Sequence, residues 1–132
     1  MDKRRVGQTK LEIDSLGLGG APLGGNFADL GYAQAEELIQ AAKNSGIGYF
    51  DTAPWYGFGR SERVMGDVLR GSEYILSDKV GRLLSPGPVK NPAEFGMVDP
   101  LPFNVVYDYS YDGIMRAYED NLQRLGLDRI DI

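Results

Sequence analysis

The segment Phe50 to Glu62, FDTAPWYGFGRSE, sets a carboxylate, Asp51, and a phenol, Tyr56, five residues apart where an apolar run gives way to a loop. Lys79 lies near the end of the next apolar run, Tyr74 to Val80. These three residue types suit proton transfer. A tyrosine keeps its proton up to a pKa of roughly 10, so releasing it near neutral pH requires something that stabilises the phenolate. A neighbouring ammonium does this, and a carboxylate can hold that ammonium charged and in place.

Taken singly, each residue has an ordinary role. Asp51, ahead of Thr52 and Pro54, can be a turn-forming side chain bonded to its own backbone. Tyr56 is one of eight tyrosines, and a lysine at a strand end is commonly solvated. Strand alternation is what joins them. Asp51 shares a face with Tyr49 on one strand, and Lys79 shares a face with Ile75 and Ser77 on the next. Two adjacent parallel strands would present Asp51 and Lys79 side by side at their carboxyl ends, with the loop carrying Tyr56 over them. Parallel barrels carry their catalytic groups at that end.

The elements that must do this positioning follow from periodicity and turn chemistry. Residues 1–14 predict a small hairpin, with Gly7 and Gln8 at the first bend of Val6 to Ile13. Leu16 to Ala21 reads as a first buried strand ended by Pro22, and Leu23 to Gly31 as a glycine-rich loop. Tyr32 to Asn44 is predicted helical, with Leu38, Ile39 and Ala42 on one face and Gly46 as the stop. Ile47 to Phe50 forms the second strand. Ser61 is expected to cap a helix running to about Leu69, with Glu62 favourable at its positive end. Tyr74 to Val80 makes the third strand.

Gly81 to Tyr107, which holds Pro86, Pro88, Pro92, Pro100 and Pro102, reads as a long functional loop. Tyr109 to Leu125 is the best-marked helix. Ile114, Ala117, Tyr118, Asn121, Leu122 and Leu125 form its stripe, Ser110 its cap and Gly126 its end. Arg129 to Ile132 begins a fourth strand. Strands alternating with helices predict an α/β fold with a parallel sheet in residues 15–132.

Composition narrows the function. The 132 residues are 42% hydrophobic and 25% charged, ordinary for one globular domain. Fourteen basic against 19 acidic residues, a formal charge of −5, argue against a nucleic-acid partner. With no cysteine and no histidine, disulfides, thiolate sites and imidazole metal ligands are excluded, and no metal is expected. The absence of an apolar run of about 18 residues predicts no membrane span and a cytoplasmic protein.

Leu16 to Gly25, LGLGGAPLGG, falls short of the dinucleotide fingerprint G-x-G-x-x-G, because Pro22 stands where the third glycine belongs. No lysine and hydroxyl pair follows to make a phosphate loop. No tyrosine stands four residues ahead of a lysine, since Tyr74 is five short of Lys79. The glycines are consistent with a strand whose backbone something approaches closely.

Four pieces in order, LGLGGAPLGG, GIGYFDTAPWYGFGRSERVMGDVLR, ILSDKVGR and YEDNLQRLGLDRIDI, resemble the amino-terminal part of the aldo-keto reductase family, over essentially the whole chain. VGRLLSPG together with DYSYDGIMRAYEDNLQRLGLDRIDI is similar to its aldose dehydrogenase and pyridoxal dehydrogenase branch. The resemblance implies a (β/α)8 TIM barrel, of which this chain supplies the amino-terminal strand-helix units. It implies an NAD- or NADP-dependent oxidoreductase that moves a hydride between nicotinamide and an aldose, lactol or aldehyde-alcohol substrate. Tyr56 would be the general acid or base. Lys79 would ease the loss of its proton, and Asp51 would pair with Lys79 near the nicotinamide ribose. Gly20 and Ala21 would line the nucleotide site, although the family often carries threonine where Gly20 stands. Trp55 and the segment after Gly81 would wall the substrate.

The family's catalytic histidine follows the fourth strand, beyond Ile132. The expectation is therefore a truncated piece of a larger enzyme, inactive alone and open to self-association through uncovered edges. The alternative is a binding or regulatory protein that keeps the scaffold without turnover.

Overall fold

A computed structural model describes residues 1–91 and 96–132. At its centre is a three-stranded parallel sheet, β3 (Gly17–Gly19), β4 (Tyr49–Asp51) and β5 (Ile75–Ser77), in that spatial order. The register pairs Gly19 with Asp51 and Asp51 with Ser77, so the carboxyl ends of the strands lie level. An amino-terminal hairpin, β1 (Lys3–Arg5) and β2 (Glu12–Asp14), is tied to the opposite end of the sheet, where the Gly48 amide donates to Asp14 Oδ2 at 2.6 Å. The predicted hairpin therefore exists, with its strands flanking Val6 to Leu11.

Helices α1 (Tyr32–Asn44), α2 (Arg60–Leu69) and α3 (Tyr111–Leu125) cover one face of the sheet. The residue between each inward pair is the one that faces them: Phe50 and Leu76 are fully buried against Ile39, Met65, Leu69 and Leu125. Each such side chain is worth about 1.5–3 kcal/mol on burial. The other face, bearing Gly17, Gly19, Tyr49, Asp51, Ile75 and Ser77, is the inner one. Ser110 caps α3 as expected, its Oγ accepting from the Gly113 amide at 3.1 Å, and Gly126 ends it in the left-handed conformation. Gly46, also left-handed, follows α1.

Several expectations need correction. The first and third strands are shorter than Leu16 to Ala21 and Tyr74 to Val80, and Gly17 and Gly19 are exposed rather than buried. Leu38 points to solvent, the buried stripe of α1 being Ala35, Ile39 and Ala42 at helical spacing. Ser61 does not cap α2. Gly59 does, at a φ of 92°, and Ser61 is buried in the first turn, with its hydroxyl 2.9 Å from that of Thr52.

Gly81 to Tyr107 is not a structureless loop. Its ends form an antiparallel ribbon, β6 (Arg82–Pro86) with β7 (Phe103–Tyr107), while Pro92 lies outside the described residues. Residues 129–132 add no assigned strand, yet Ile132 N donates to Leu76 O at 3.1 Å and Ile132 O accepts from Asp78 N at 3.1 Å, the pairing of a fourth parallel strand beside β5. Among the described residues, no helix is long and apolar enough to cross a membrane.

Gly66 shows how closely α2 and α3 meet. A Cβ there would lie 1.8 Å from the Leu125 carbonyl oxygen, a backbone atom that cannot swing aside. Gly66→Ala is expected to push the helices apart and cost about 1–3 kcal/mol, read as a lower midpoint in thermal unfolding.

Candidate active site

Alternation along β4 turns Phe50 into the helical layer and leaves Tyr49 and Asp51 on the inner face. Gly17 makes room for this: a Cβ on it would meet Tyr49 Cδ1 at 2.5 Å, so only glycine lets the ring lie across β3. The Tyr49 hydroxyl lies 3.1 Å from Ser77 Oγ, which donates to Asp51 Oδ1 at 2.5 Å. Lys79 Nζ donates to the same Asp51 oxygen and, at 3.0 Å, to the Thr52 carbonyl. Lys79 lies beyond the end of β5, and its long side chain reaches back over the strand ends. Half-exposed ion pairs contribute about 1 kcal/mol or less, so this pair matters for where it holds charge more than for stability.

Tyr56 sits in the β4–α2 loop, five residues beyond Asp51. Its backbone is seated on the 3-10 turn Pro22–Gly24 through a glycine-on-glycine contact. A Cβ on Gly24 would lie 2.3 Å from the Tyr56 carbonyl carbon, and one on Gly57 would lie 2.2 Å from Gly24 O. Gly57, Phe58 and Gly59 all take positive φ, an unusual run that turns the chain sharply into α2. Among the described residues the Tyr56 hydroxyl takes part in no hydrogen bond or ion pair. The structure thus joins Asp51 to Lys79 and places Tyr56 on the loop that leaves the same strand end.

Trp55 packs edge-on against Phe58, ring centroids 5.6 Å apart, and the Arg82 guanidinium lies over its indole at 5.0 Å. Trp55, Phe58, Lys90, Asn104, Val105 and Tyr107 line a cavity of about 340 Å3 between this loop and the β6–β7 ribbon. The ribbon is folded back onto the strand-end loops: Leu101 N donates to Gly57 O at 3.1 Å and Val98 N to Gly25 O at 2.9 Å.

The residues expected to meet a nucleotide contribute unequally. Above Gly19 nothing lies within 4 Å of a Cβ position, so a flat ring has an open approach to the backbone on the inner face, beside the Asp51 carboxylate. Gly20 faces the other way, its missing Cβ directed at Ser61 Oγ and Met65, and it offers only backbone. Half-exposed Ala21 begins the turn that supports Tyr56. An open strand end with a carboxylate that can accept from ribose hydroxyls fits a nicotinamide nucleoside.

The Aldo/keto reductase family model matches residues 15–132. The chain belongs to that family. It is 46% identical over 142 aligned positions to pyridoxal 4-dehydrogenase of Microbacterium luteolum, and 38% identical over 131 to D-threo-aldose 1-dehydrogenase of a Pseudomonas species. These alignments cover 99% and 92% of this chain but 42% and 39% of the relatives, so the chain spans about two fifths of their length. Among solved structures, the holo form of an aldo-keto reductase from Bacillus halodurans superposes with a TM-score of 0.77 at 30% identity, covering 98% of this chain and 38% of that one. The parallel sheet with its outer helices is therefore the amino-terminal part of a (β/α)8 barrel, and among the described residues the barrel is not closed. Its open side is the inner face bearing Asp51, Ser77 and Gly19.

Sequence reasoning missed two features of this candidate site. Ser77, named only as a companion of Lys79, is the hydroxyl that fixes Asp51, and strand alternation alone would have indicated it. Behind Lys79 lies a buried polar cluster of Glu62, Asp78, Asn121 and Arg124. Its members are distant in sequence, Glu62 and Arg124 being 62 residues apart, and no local pattern announces it.

Proposed function

We propose that this chain carries the amino-terminal share of the active site of an NAD- or NADP-dependent oxidoreductase, which moves a hydride between nicotinamide and an aldose, lactol or aldehyde-alcohol substrate. The observation that carries the reading is the Lys79–Asp51 pair, fixed by Ser77 at the carboxyl end of the sheet, from which the Tyr56 loop departs. The bound nicotinamide supplies or accepts the hydride. In the reducing direction Tyr56 gives its phenolic proton to the substrate oxygen, and the resulting phenolate is balanced by the Lys79 ammonium. In the oxidising direction the phenolate takes the hydroxyl proton. Asp51 holds Lys79 in orientation and would accept from a ribose hydroxyl. Trp55 and the ribbon beyond Gly81 bound the substrate and exclude water. The protein works in the cytoplasm on small carbonyl or sugar substrates.

The test is an absorbance assay of nicotinamide reduction with pyridoxal or aldoses, using NAD and NADP in turn, on this chain carried to the full length of its relatives. Turnover with either cofactor is the expected result. Nucleotide binding without turnover on any of these substrates would favour a binding or regulatory protein instead.

A further inference from the structure

The helical side of Lys79 holds an arrangement that the hydride-transfer reading leaves unused. Asp78, between Ser77 and Lys79, alternates outward toward α2 and α3. Its Oδ1 accepts from the Lys79 amide at 2.8 Å, while Asn121 Nδ2 on α3 donates to the Lys79 carbonyl at 2.9 Å. Both backbone groups of Lys79 are therefore held, the amide by the neighbouring Asp78 and the carbonyl from α3. Asn121 is itself held by Arg124, whose Nη2 donates to Asn121 Oδ1 at 2.5 Å. Arg124 in turn grips the fully buried Glu62 on α2 with two bonds of 2.6 and 2.9 Å.

One atom in this cluster is unaccounted for. Asp78 Oδ2 is buried and no donor among the described residues reaches it, although the Glu62 carboxyl lies beside it. Two buried carboxylates facing each other repel, and an acceptor with no donor is costly. A single proton between them removes both penalties. We propose that Asp78 and Glu62 share one proton, and that with Asn121 and Arg124 they form a clamp that positions Lys79 for its work on the inner face. This rests on the reading of Lys79 as part of the proton-transfer site. Asp78 and Glu62 are positioning residues, acting through the Lys79 backbone.

The electrostatics agree. Burial first, and the Glu62 carboxylate second, push Asp78 from 3.8 up to about 8. Burial pushes Glu62 up as well, against the pull of Arg124 and, more weakly, of Arg63 on α2. The proton belongs to the pair. Between about 3.8 and about 8 the folded chain keeps a proton that the unfolded chain releases, so this contribution to stability is complete at low pH and is lost as the pH rises through about 8.

Infrared spectroscopy of the full chain tests the proton directly, because every ordinary carboxyl is ionised at pH 6.5. A protonated-acid carbonyl stretch is expected at that pH, fading as the pH is raised past about 8 and absent in Asp78→Asn. No such band, or one that survives Asp78→Asn, overturns the shared proton. The clamp is tested by turnover at full length. Asp78→Ala is expected to lower kcat between about ten- and a hundredfold with nucleotide affinity unchanged. Asp78→Asn, whose amide can still accept from Lys79 and donate to Glu62, should recover most of that loss. If Asp78→Ala does not fold, Asn121→Ser carries the same kinetic comparison. Loss of nucleotide affinity with kcat intact, or no recovery in Asp78→Asn, overturns the positioning role. Retained turnover in Tyr56→Phe would overturn the proton-transfer reading without touching the infrared result, so the two failures are separable.

Discussion

Replacing Tyr56 by phenylalanine will abolish measurable hydride transfer in the full-length enzyme, lowering kcat by at least about 10²–10⁴, the usual contribution of a positioned acid or base. The change removes one oxygen and leaves the ring, so the packing of the β4–α2 loop on the Pro22–Gly24 turn survives. That seat is made by backbone atoms of Tyr56, Gly24 and Gly57 and owes nothing to the phenol. Nucleotide affinity should therefore hold, because the groups proposed to meet the nucleotide, Asp51 and the open backbone at Gly19, are unchanged. Calorimetric titration with NAD and NADP beside steady-state turnover separates the two effects. A variant that binds and does not turn over is the expected outcome, and retained turnover removes Tyr56 from the acid-base role.

The second large effect concerns stability. Arg124→Ala is expected to destabilise the chain by about 3–5 kcal/mol, measured by urea unfolding, since it strands a carboxylate that the fold encloses completely. Glu62 has 0% of its side chain exposed and Arg124 11%, so water cannot replace the lost guanidinium. The same truncation frees Asn121 Oδ1, loosening the grip on the Lys79 carbonyl. Because the cost comes from an orphaned charge, removing both partners should cost less than removing one. A Glu62→Leu, Arg124→Met double variant is expected to recover much of the loss. Equal losses in the single and double variants would instead assign the effect to packing.

What the sequence disclosed, and what it concealed, follows from the range over which each feature is specified. Asp51 and Lys79 were legible because strand alternation and parallel pairing are local rules that propagate to the strand ends, and the observed register brings them together. The cap of α3 was legible for the same reason, Ser110 and Gly126 acting within one turn. Ser61 misled because a serine ahead of a helical stripe has the chemistry of a cap, while here its hydroxyl turns inward to Thr52 and the left-handed Gly59 makes the turn.

The β6–β7 ribbon was hidden by its prolines. Pro86 sits at the ladder end opposite Phe103, and Pro88, Pro100 and Pro102 fall in the excursion between the strands, so the punctuation masks two five-residue strands. Glu62 was read only as a first-turn carboxylate suited to the positive end of a helix. Its burial depends on Arg124 in the next helix, 62 residues on, and only the folded chain reports such a pairing. Tyr56 stands between these cases: its motif and its loop were plain, whereas among the described residues its hydroxyl makes no bond to the Lys79 ammonium expected beside it.

A crystal structure of the full-length protein with nicotinamide nucleotide and a substrate analogue bound tests the central claim most directly. Tyr56 Oη within about 3 Å of the substrate oxygen, or of Lys79 Nζ, with Lys79 still on Asp51 and the nicotinamide over the Gly19 strand end, is the predicted arrangement. A phenol turned away from both, or a nucleotide seated elsewhere than this strand end, would contradict the account.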